Sequence, residues 1–373
     1  DVAADDGRAA VKLIPDAVRE ALARLKNRVL NIVVHSMEEA DGYLVDIPLE
    51  SLLNDAEESK FDLLRIDVGM AVISIQRQLL IEQMQTDSMK TLRILVRRVD
   101  VTELPEYARS ELQNAVVYDL TLEIDGVAIT DVAGNVQVAL AYELKPGESA
   151  GNVVVYHIGD REAIVVKHGR YDPRSGKVLF RPSHLSLYAA AHINISFSDV
   201  LDGWAKPSIE ALAARGIVDG VGSGRFDPSG KVTRAQFLHM LMKAFDLTDQ
   251  GAVSTFRDVN RDAWYYETVA SAQALGIVRG RPDGTFGPND EITRQDMAVM
   301  AYAAAKHLRL DLDRGILVSF NDAASISEYA VDAVNALRSA GVMGGVGDGR
   351  FAPHAAASRA EAAAVIDRLL RLM

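Results

Sequence analysis

One spacing recurs three times in the second half of the chain and constrains the fold more than any other feature. Trp204 to Gly216, Trp264 to Gly276 and Tyr329 to Gly341 are each 12 residues. From those glycines to Phe226, Phe286 and Phe351 is 10 residues, and from the phenylalanines to Arg234, Arg294 and Arg359 is 8. Length varies only upstream, between Phe197, Phe256 or Phe320 and the aromatic residue. Landmarks in fixed order at fixed spacing predict one supersecondary unit written three times.

Each unit reads as an F-x-D opening, a helix, a G-I/V turn, a loop ending in F-x-P (F-x-P is FDP, FGP and FAP) and a second helix begun by T/S-R-x-[QDE]. Gly216, Gly276 and Gly341 stand where the first helix ends, a position whose left-handed backbone favours glycine. The loops DGVGSGRFDP, RGRPDGTFGP and GGVGDGRFAP carry turn chemistry throughout, and their phenylalanines are expected to plug the core. Ala, Leu and Met at helical spacing predict six helices after Phe197.

Before Ser196 the text is different. From Val29 to Ile195, short runs such as LRILVRRVDV, VVYDLTLEI and NVQVALAYEL alternate apolar and polar residues between turn signals, which predicts antiparallel strands in a β-sandwich-like domain. Two helices are expected within the first half, over 14–26 with Pro15 in its first turn and over 73–84. The expected organisation is an N-terminal helical segment (1–28), a β-rich domain (29–196) and repeats at 197–255, 256–319 and 320–373. The fold class is thus mainly β, followed by an all-α half.

The bulk numbers narrow the function. A net charge of -12 argues against general nucleic-acid affinity, and from Phe197 onward 19 Lys and Arg against 22 Asp and Glu give -3, leaving -9 to the first half. The absence of cysteine excludes disulfides, thiolate metal sites and cysteine nucleophiles. No run approaches the length of a membrane-spanning helix, and the opening DVAADDGRAA is acidic rather than signal-like, so a soluble chain is expected.

The repeats FSDV…W…GI…TRAQ, FRDV…W…GI…ITRQD and FND…Y…GV…SRAE resemble three consecutive S-layer homology (SLH) domains, with the family's Thr-Arg-Ala-Glu signature varied in each copy. The resemblance covers 197–373. It implies a pseudo-threefold helical assembly, and noncovalent anchoring of a surface protein to pyruvylated secondary polysaccharide of a bacterial cell wall, with possible self-association in a surface lattice.

The signature is first a capping box. Thr233 with Gln236 and Ser358 with Glu361 fit it well, and Thr293 with Asp296 less well because Asp is shorter. The arginine is what capping leaves unexplained, since a cation in a helix's first turn opposes the dipole. A helix N-terminus with free N–H groups is an anion site, and a guanidinium beside it suits a carboxylate. The pyruvate ketal implied by the resemblance carries one, so Arg234 and Arg294 are the favoured carbohydrate-binding residues, with Arg359 balanced between ligand and salt bridge.

Gly220, Gly280 and Gly345 each follow the helix-ending glycine by 4 residues, and they read either as turns or as places where a sugar approaches the backbone. Arg281 offers a further loop cation. Trp204 and Trp264, with Tyr329, read equally as sugar platforms or as core. Asp199, Asp258 and Asp322 look like turn or cap residues, and no calcium-loop or other metal spacing is present. Repeat three departs from the pattern, with Tyr for Trp and the run HAAASRAEAAA, which puts its own site in doubt.

The first half resembles β-rich segments that precede SLH domains in large secreted bacterial proteins, and it shows no phosphate loop, H-E-x-x-H or G-x-S-x-G. No catalytic residue and no cofactor is expected. His184-Leu185-Ser186 resembles the cleavage site of self-cleaving β-rich domains in adhesion receptors, although residues alternating along a terminal strand explain it more simply. The main reading is an extracellular wall anchor. The rivals are an anchored polysaccharide-active enzyme fragment and an S-layer lattice subunit.

Overall fold

The computed structural model describes residues 2–5, 8–25, 27–35, 40–53, 61–83, 90–313, 315 and 319–373, and the chain divides into two compact units, 1–193 and 194–373. In the first unit, β-branched residues at period two build two sheets. The larger runs β1 (Val2–Asp5), β2 (Arg8–Lys12), β4 (Gly42–Pro48), β7 (Thr91–Val99), β8 (Val116–Ile124), β15 (Leu187–His192), β11 (Val153–Ile158) and β12 (Ala163–Val166), with β9 (Val127–Ala128) paired to β8. The smaller runs β13 (Arg170–Asp172), β14 (Lys177–Phe180), β10 (Val136–Ala141), β6 (Ala71–Gln76), β5 (Leu63–Asp67) and β3 (Val29–Val33).

The inward residues of both sheets meet in one core, Ile47, Ile94 and Leu122 from the larger with Ile66, Ile75 and Leu140 from the smaller. The opposite face of the larger sheet is covered in part by α4 (Glu106–Glu111), whose Ala108 packs with Leu112 on Val117, Ile158 and Ala189.

Three expectations need correction. The first 28 residues are not a separate helical segment, because β1 and β2 precede α1 (Pro15–Ala23) and β2 pairs in parallel with β4. Alanine-rich strands carry little intrinsic β signal, and it is the partner strand that holds them. The helix expected over 73–84 is a strand to Gln76, followed by α3 (Arg77–Glu82). Ala71 to Ile75 are all buried, and a continuous apolar run has no period to distinguish strand from helix. Strand pairing is also not purely antiparallel, since β3 and β5 run in parallel.

In the second unit, α5 (Lys206–Ala214), α7 (Tyr266–Ala274) and α9 (Val331–Ser339) alternate with α6 (Arg234–Ala244), α8 (Arg294–His307) and α10 (Arg359–Leu370). The first three end at Gly216, Gly276 and Gly341, whose φ angles of 63°, 72° and 70° explain the glycines directly. Phe226, Phe286 and Phe351 are 0% exposed and do plug the core, each burial contributing about 1.5–3 kcal/mol.

The F-x-D aspartates hold those plugs in place. Asp199 accepts the N–H groups of Phe226 and Asp227 at 2.8 Å, Asp258 those of Phe286 and Gly287 at 2.7 Å, and Asp322 those of Phe351 and Ala352 at 2.7 and 2.8 Å. Both oxygens of each carboxylate are thereby used inside its own repeat. For Asp199, the Phe226 N–H is the main reason its pKa is held below the usual carboxylate value.

The repeats are joined by backbone hydrogen bonds that close a ring. Val232 N–H donates to Ala357 O, Ala357 N–H to Ile292 O, and Ile292 N–H to Val232 O, at 3.2, 2.9 and 3.0 Å. Each second helix also rests its N-terminus on the loop of the following repeat, and the third rests on the first.

Candidate ligand site between the repeats

The side chains of the T/S-R-x-[QDE] motif divide into caps and tethers. Thr233 accepts from Gln236 N–H and Ser358 from Glu361 N–H, each at 3.2 Å, and both boxes are closed by the return bond. Thr293 accepts from Asp296 N–H at 3.2 Å, but the shorter carboxylate of Asp296 turns away from the cap. It accepts instead from Arg234 Nη1 at 3.0 Å and from Tyr329 OH at 2.8 Å.

The helix N-termini are not free, contrary to expectation. Arg234 N–H donates to Asp290 O, Arg294 N–H to Ala355 O and Arg359 N–H to Gly230 O, and the next N–H of each helix reaches Pro288, Pro353 or Pro228 O. The loop of the neighbouring repeat thus occupies the donors that would have bound an anion.

The arginine side chains are drawn inward by the same contact. Arg234 Nε donates to Phe286 O at 2.9 Å, Arg294 Nε to Phe351 O at 2.8 Å and Arg359 Nε to Phe226 O at 2.8 Å. Each guanidinium lies over the ring of that same phenylalanine, at 5.0, 5.0 and 4.5 Å from the centroid. Arg234 is 7% exposed and Arg294 5%. Arg294 further donates to Gly344 O at 2.8 Å and pairs with Glu361, while Arg359 donates to Asp219 O at 2.8 Å. Burial lowers the pKa of Arg234 and of Arg359, with nearby aspartates opposing it.

The three tethers differ in their counterions. Asp296 faces Arg234 and Glu361 faces Arg294, whereas the corresponding residue for Arg359 is Gln236, which is neutral and accepts from Thr233 N–H. The three aromatics that stand just before the first helices are surface residues: Trp204, Trp264 and Tyr329 are 62%, 60% and 61% exposed. Tyr329 is pushed up to about 12, by burial first and then by its bond to Asp296. Trp264 stands edge-on to His239 at 5.5 Å.

Arg281 is taken up locally by Asp290 at 2.5 Å. The loop glycines have an internal reason to lack a side chain. A Cβ would come within 2.6 Å of Arg225 O at Gly220, 2.2 Å of the Phe256 ring at Gly280, and 2.6 Å of Arg350 O at Gly345.

Two cavities flank Trp204. One, of about 450 Å³, is lined by Trp204, Arg294, Gly345, Ser358, Glu361 and Arg368, and has an apolar floor of Val342, Ala364 and Val365. The other, of about 440 Å³, is lined by Trp204, Pro228, Lys231 and Glu361. Both fall in the size range of small-molecule sites. Arg368 was missed from sequence because a cation late in a helix reads as a dipole partner.

In the first unit the imidazole bonded to Ser186 is that of His157 on β11, at 3.0 Å from the hydroxyl. His184 Nε2 lies 2.8 Å from the same His157 nitrogen, and its Nδ1 lies 2.9 Å from Ser183 Oγ. Ser186 and His184 thus converge on one His157 nitrogen, whose single lone pair accepts fully from only one donor at a time. Burial, then the His184 charge, lower the His157 pKa. Among the described residues, no cluster of His, Asp and Glu suited to a metal ion occurs, and no helix is long and apolar enough to cross a membrane.

Residues 196–238, 255–298 and 319–363 match the S-layer homology domain. The chain is 33% identical over 264 residues to an amylopullulanase of Thermoanaerobacterium thermosulfurigenes, covering 69% of this chain and 14% of that protein. It is 38% identical over 179 residues to exoglucanase XynX of Acetivibrio thermocellus (48% and 16%), and 30% identical over 173 residues to S-layer protein EA1 of Bacillus anthracis (46% and 20%). The chain therefore spans only 14–20% of the length of these relatives.

Proposed function

Since the chain carries three tandem S-layer homology domains, which put it at the bacterial cell surface, we propose that it anchors a longer surface protein to the wall by binding an acidic, pyruvylated polysaccharide. We read the helical unit as a pseudo-threefold assembly. The cyclic backbone bonds among Val232, Ile292 and Ala357, and the three matched arginine tethers, support that reading.

The observation that carries the binding proposal is the cavity beside Trp204. It combines an exposed aromatic face, an apolar floor and cationic side chains, which together suit a sugar ring bearing a carboxylate. The motif arginines enter this reading as the residues that hold the cavity walls together. The β-rich unit is read as a spacer without catalytic function, and the glycan-active names among the relatives fit a chain whose activity, if the longer protein has one, lies outside this stretch.

Cosedimentation with purified walls tests the proposal. The chain is expected to pellet with walls that keep their secondary polysaccharide and to stay in the supernatant with walls stripped of it. Equal pelleting with both, or with neither, refutes it.

A further inference from the structure

The three repeats place a different residue at the position nine after the motif arginine: Lys243, Ala303 and Arg368. These positions sit late in α6, α8 and α10. The alanine brings no charge. Lys243 has an acidic neighbour, Asp219, at 3.9 Å. Arg368 spends one donor on Val342 O, Nη1 at 3.1 Å, and among the described residues no carboxylate lies within ion-pair distance of it.

Arg368 lines the cavity of about 450 Å³ together with Trp204 and Arg294. The two arginines there are not equivalent. Arg294 is 5% exposed, its Nε, Nη1 and Nη2 donate to Phe351 O, Glu361 and Gly344 O, and the Glu361 carboxylate neutralises it. A ligand carboxylate approaching Arg294 would have to share it with Glu361, at the cost of like-charge repulsion. Arg368 is half-buried, keeps Nε and Nη2 for a ligand, and meets no such competitor.

We infer that Arg368, and not the motif arginine Arg294, is the residue that selects an anionic sugar in the cavity between the third and first repeats. The ligand class is a monosaccharide unit whose carboxylate accepts from the Arg368 guanidinium while an apolar ring face lies against Trp204. Its carboxylate reads the one cation in the cavity that the protein has not already neutralised. Repeat three, the copy furthest from the shared pattern, thus supplies the charge, and repeat one supplies the aromatic wall.

This inference rests on the glycan-anchor reading, and calorimetry separates the two. The probes are a wall polysaccharide bearing pyruvate ketals and the same polymer after mild acid has removed them. Wild-type chain is expected to prefer the ketal-bearing polymer. Arg368→Ala should weaken that binding about 10- to 100-fold, the worth of a hydrogen-bonded charge pair, and erase the preference. Arg368→Gln, which keeps a polar side chain on the same stem without the charge, should lose the preference as well and guards against a folding artefact, with unfolding followed by Trp fluorescence.

Lys243→Ala should change binding little. If both Arg368 variants bind the ketal-bearing polymer as wild type does, the assignment of Arg368 is overturned and the anchor reading stands. If wild type binds neither polymer, both are overturned.

Discussion

Replacing Arg294 with alanine should destabilise the helical unit more than the same change at either sister position. The side chain is 6% exposed and makes three hydrogen bonds, to Phe351 O, Gly344 O and Glu361, beneath a cation–π contact with Phe351. Removing one partner of such a buried, hydrogen-bonded pair costs about 3–5 kcal/mol, and the orphaned carbonyls lie at the top of that range only if water cannot reach them. Arg234 makes two of these bonds, with Phe286 O and Asp296. Arg359 makes two to carbonyls and, among the described residues, faces no carboxylate partner within ion-pair distance, so about 1.5–3 kcal/mol is expected there.

The expected order of loss is therefore Arg294, then Arg234, then Arg359. Both tryptophans of the chain, Trp204 and Trp264, lie in this unit, so their fluorescence reports its unfolding separately from that of the β-rich unit. With a urea slope of about 2 kcal/mol/M, a loss of about 3–5 kcal/mol lowers the midpoint by roughly 1.5–2.5 M. A midpoint for Arg294→Ala within about 0.3 M of wild type would refute the tether argument, because that slope would then allow well under 1 kcal/mol for all three bonds.

Two further outcomes follow from the same geometry. Gly280→Ala should destabilise by more than about 2 kcal/mol, since φ is +72° and the new Cβ would stand 2.2 Å from the Phe256 ring, whereas Gly216→Ala, at +63° in open space, should cost about 1 kcal/mol; equal midpoints in urea would contradict this. In the β-rich unit, His157 binds a proton less readily folded than unfolded, so its contribution is complete above the ordinary histidine value of 6.5 and is lost as pH falls through its lower folded value. Circular dichroism melts between pH 7.5 and 5 should show that loss in wild type and a smaller one in His157→Gln.

Much of the helical half was legible because its constraints are local. The left-handed backbone after each first helix selects Gly216, Gly276 and Gly341, and the capping hydroxyls of Thr233, Thr293 and Ser358 lie three residues from the groups they bind. Fixed spacing then repeats whatever one unit does. The β-rich half was less legible, since Ala71 to Ile75 are buried on both faces and lose the period that marks a strand, while Arg8–Lys12 is held as a strand by the edge of β4 and Val2–Asp5 by Arg8–Lys12 in turn.

What the sequence by itself determined was the repeat, the helix starts and the anomaly of a cation at the wrong end of a dipole. Tertiary structure decided what answers that anomaly. A carbonyl some 52 residues along the chain, Phe286 O for Arg234, competes with any ligand for the guanidinium, and no local pattern announces it. The same holds for charge: whether an arginine is free depends on which carboxylate the neighbouring repeat brings to it, Glu361 to Arg294 and none to Arg368 among the described residues. Electrostatic availability is a property of distances through space, and those exist only once the ring of repeats has closed.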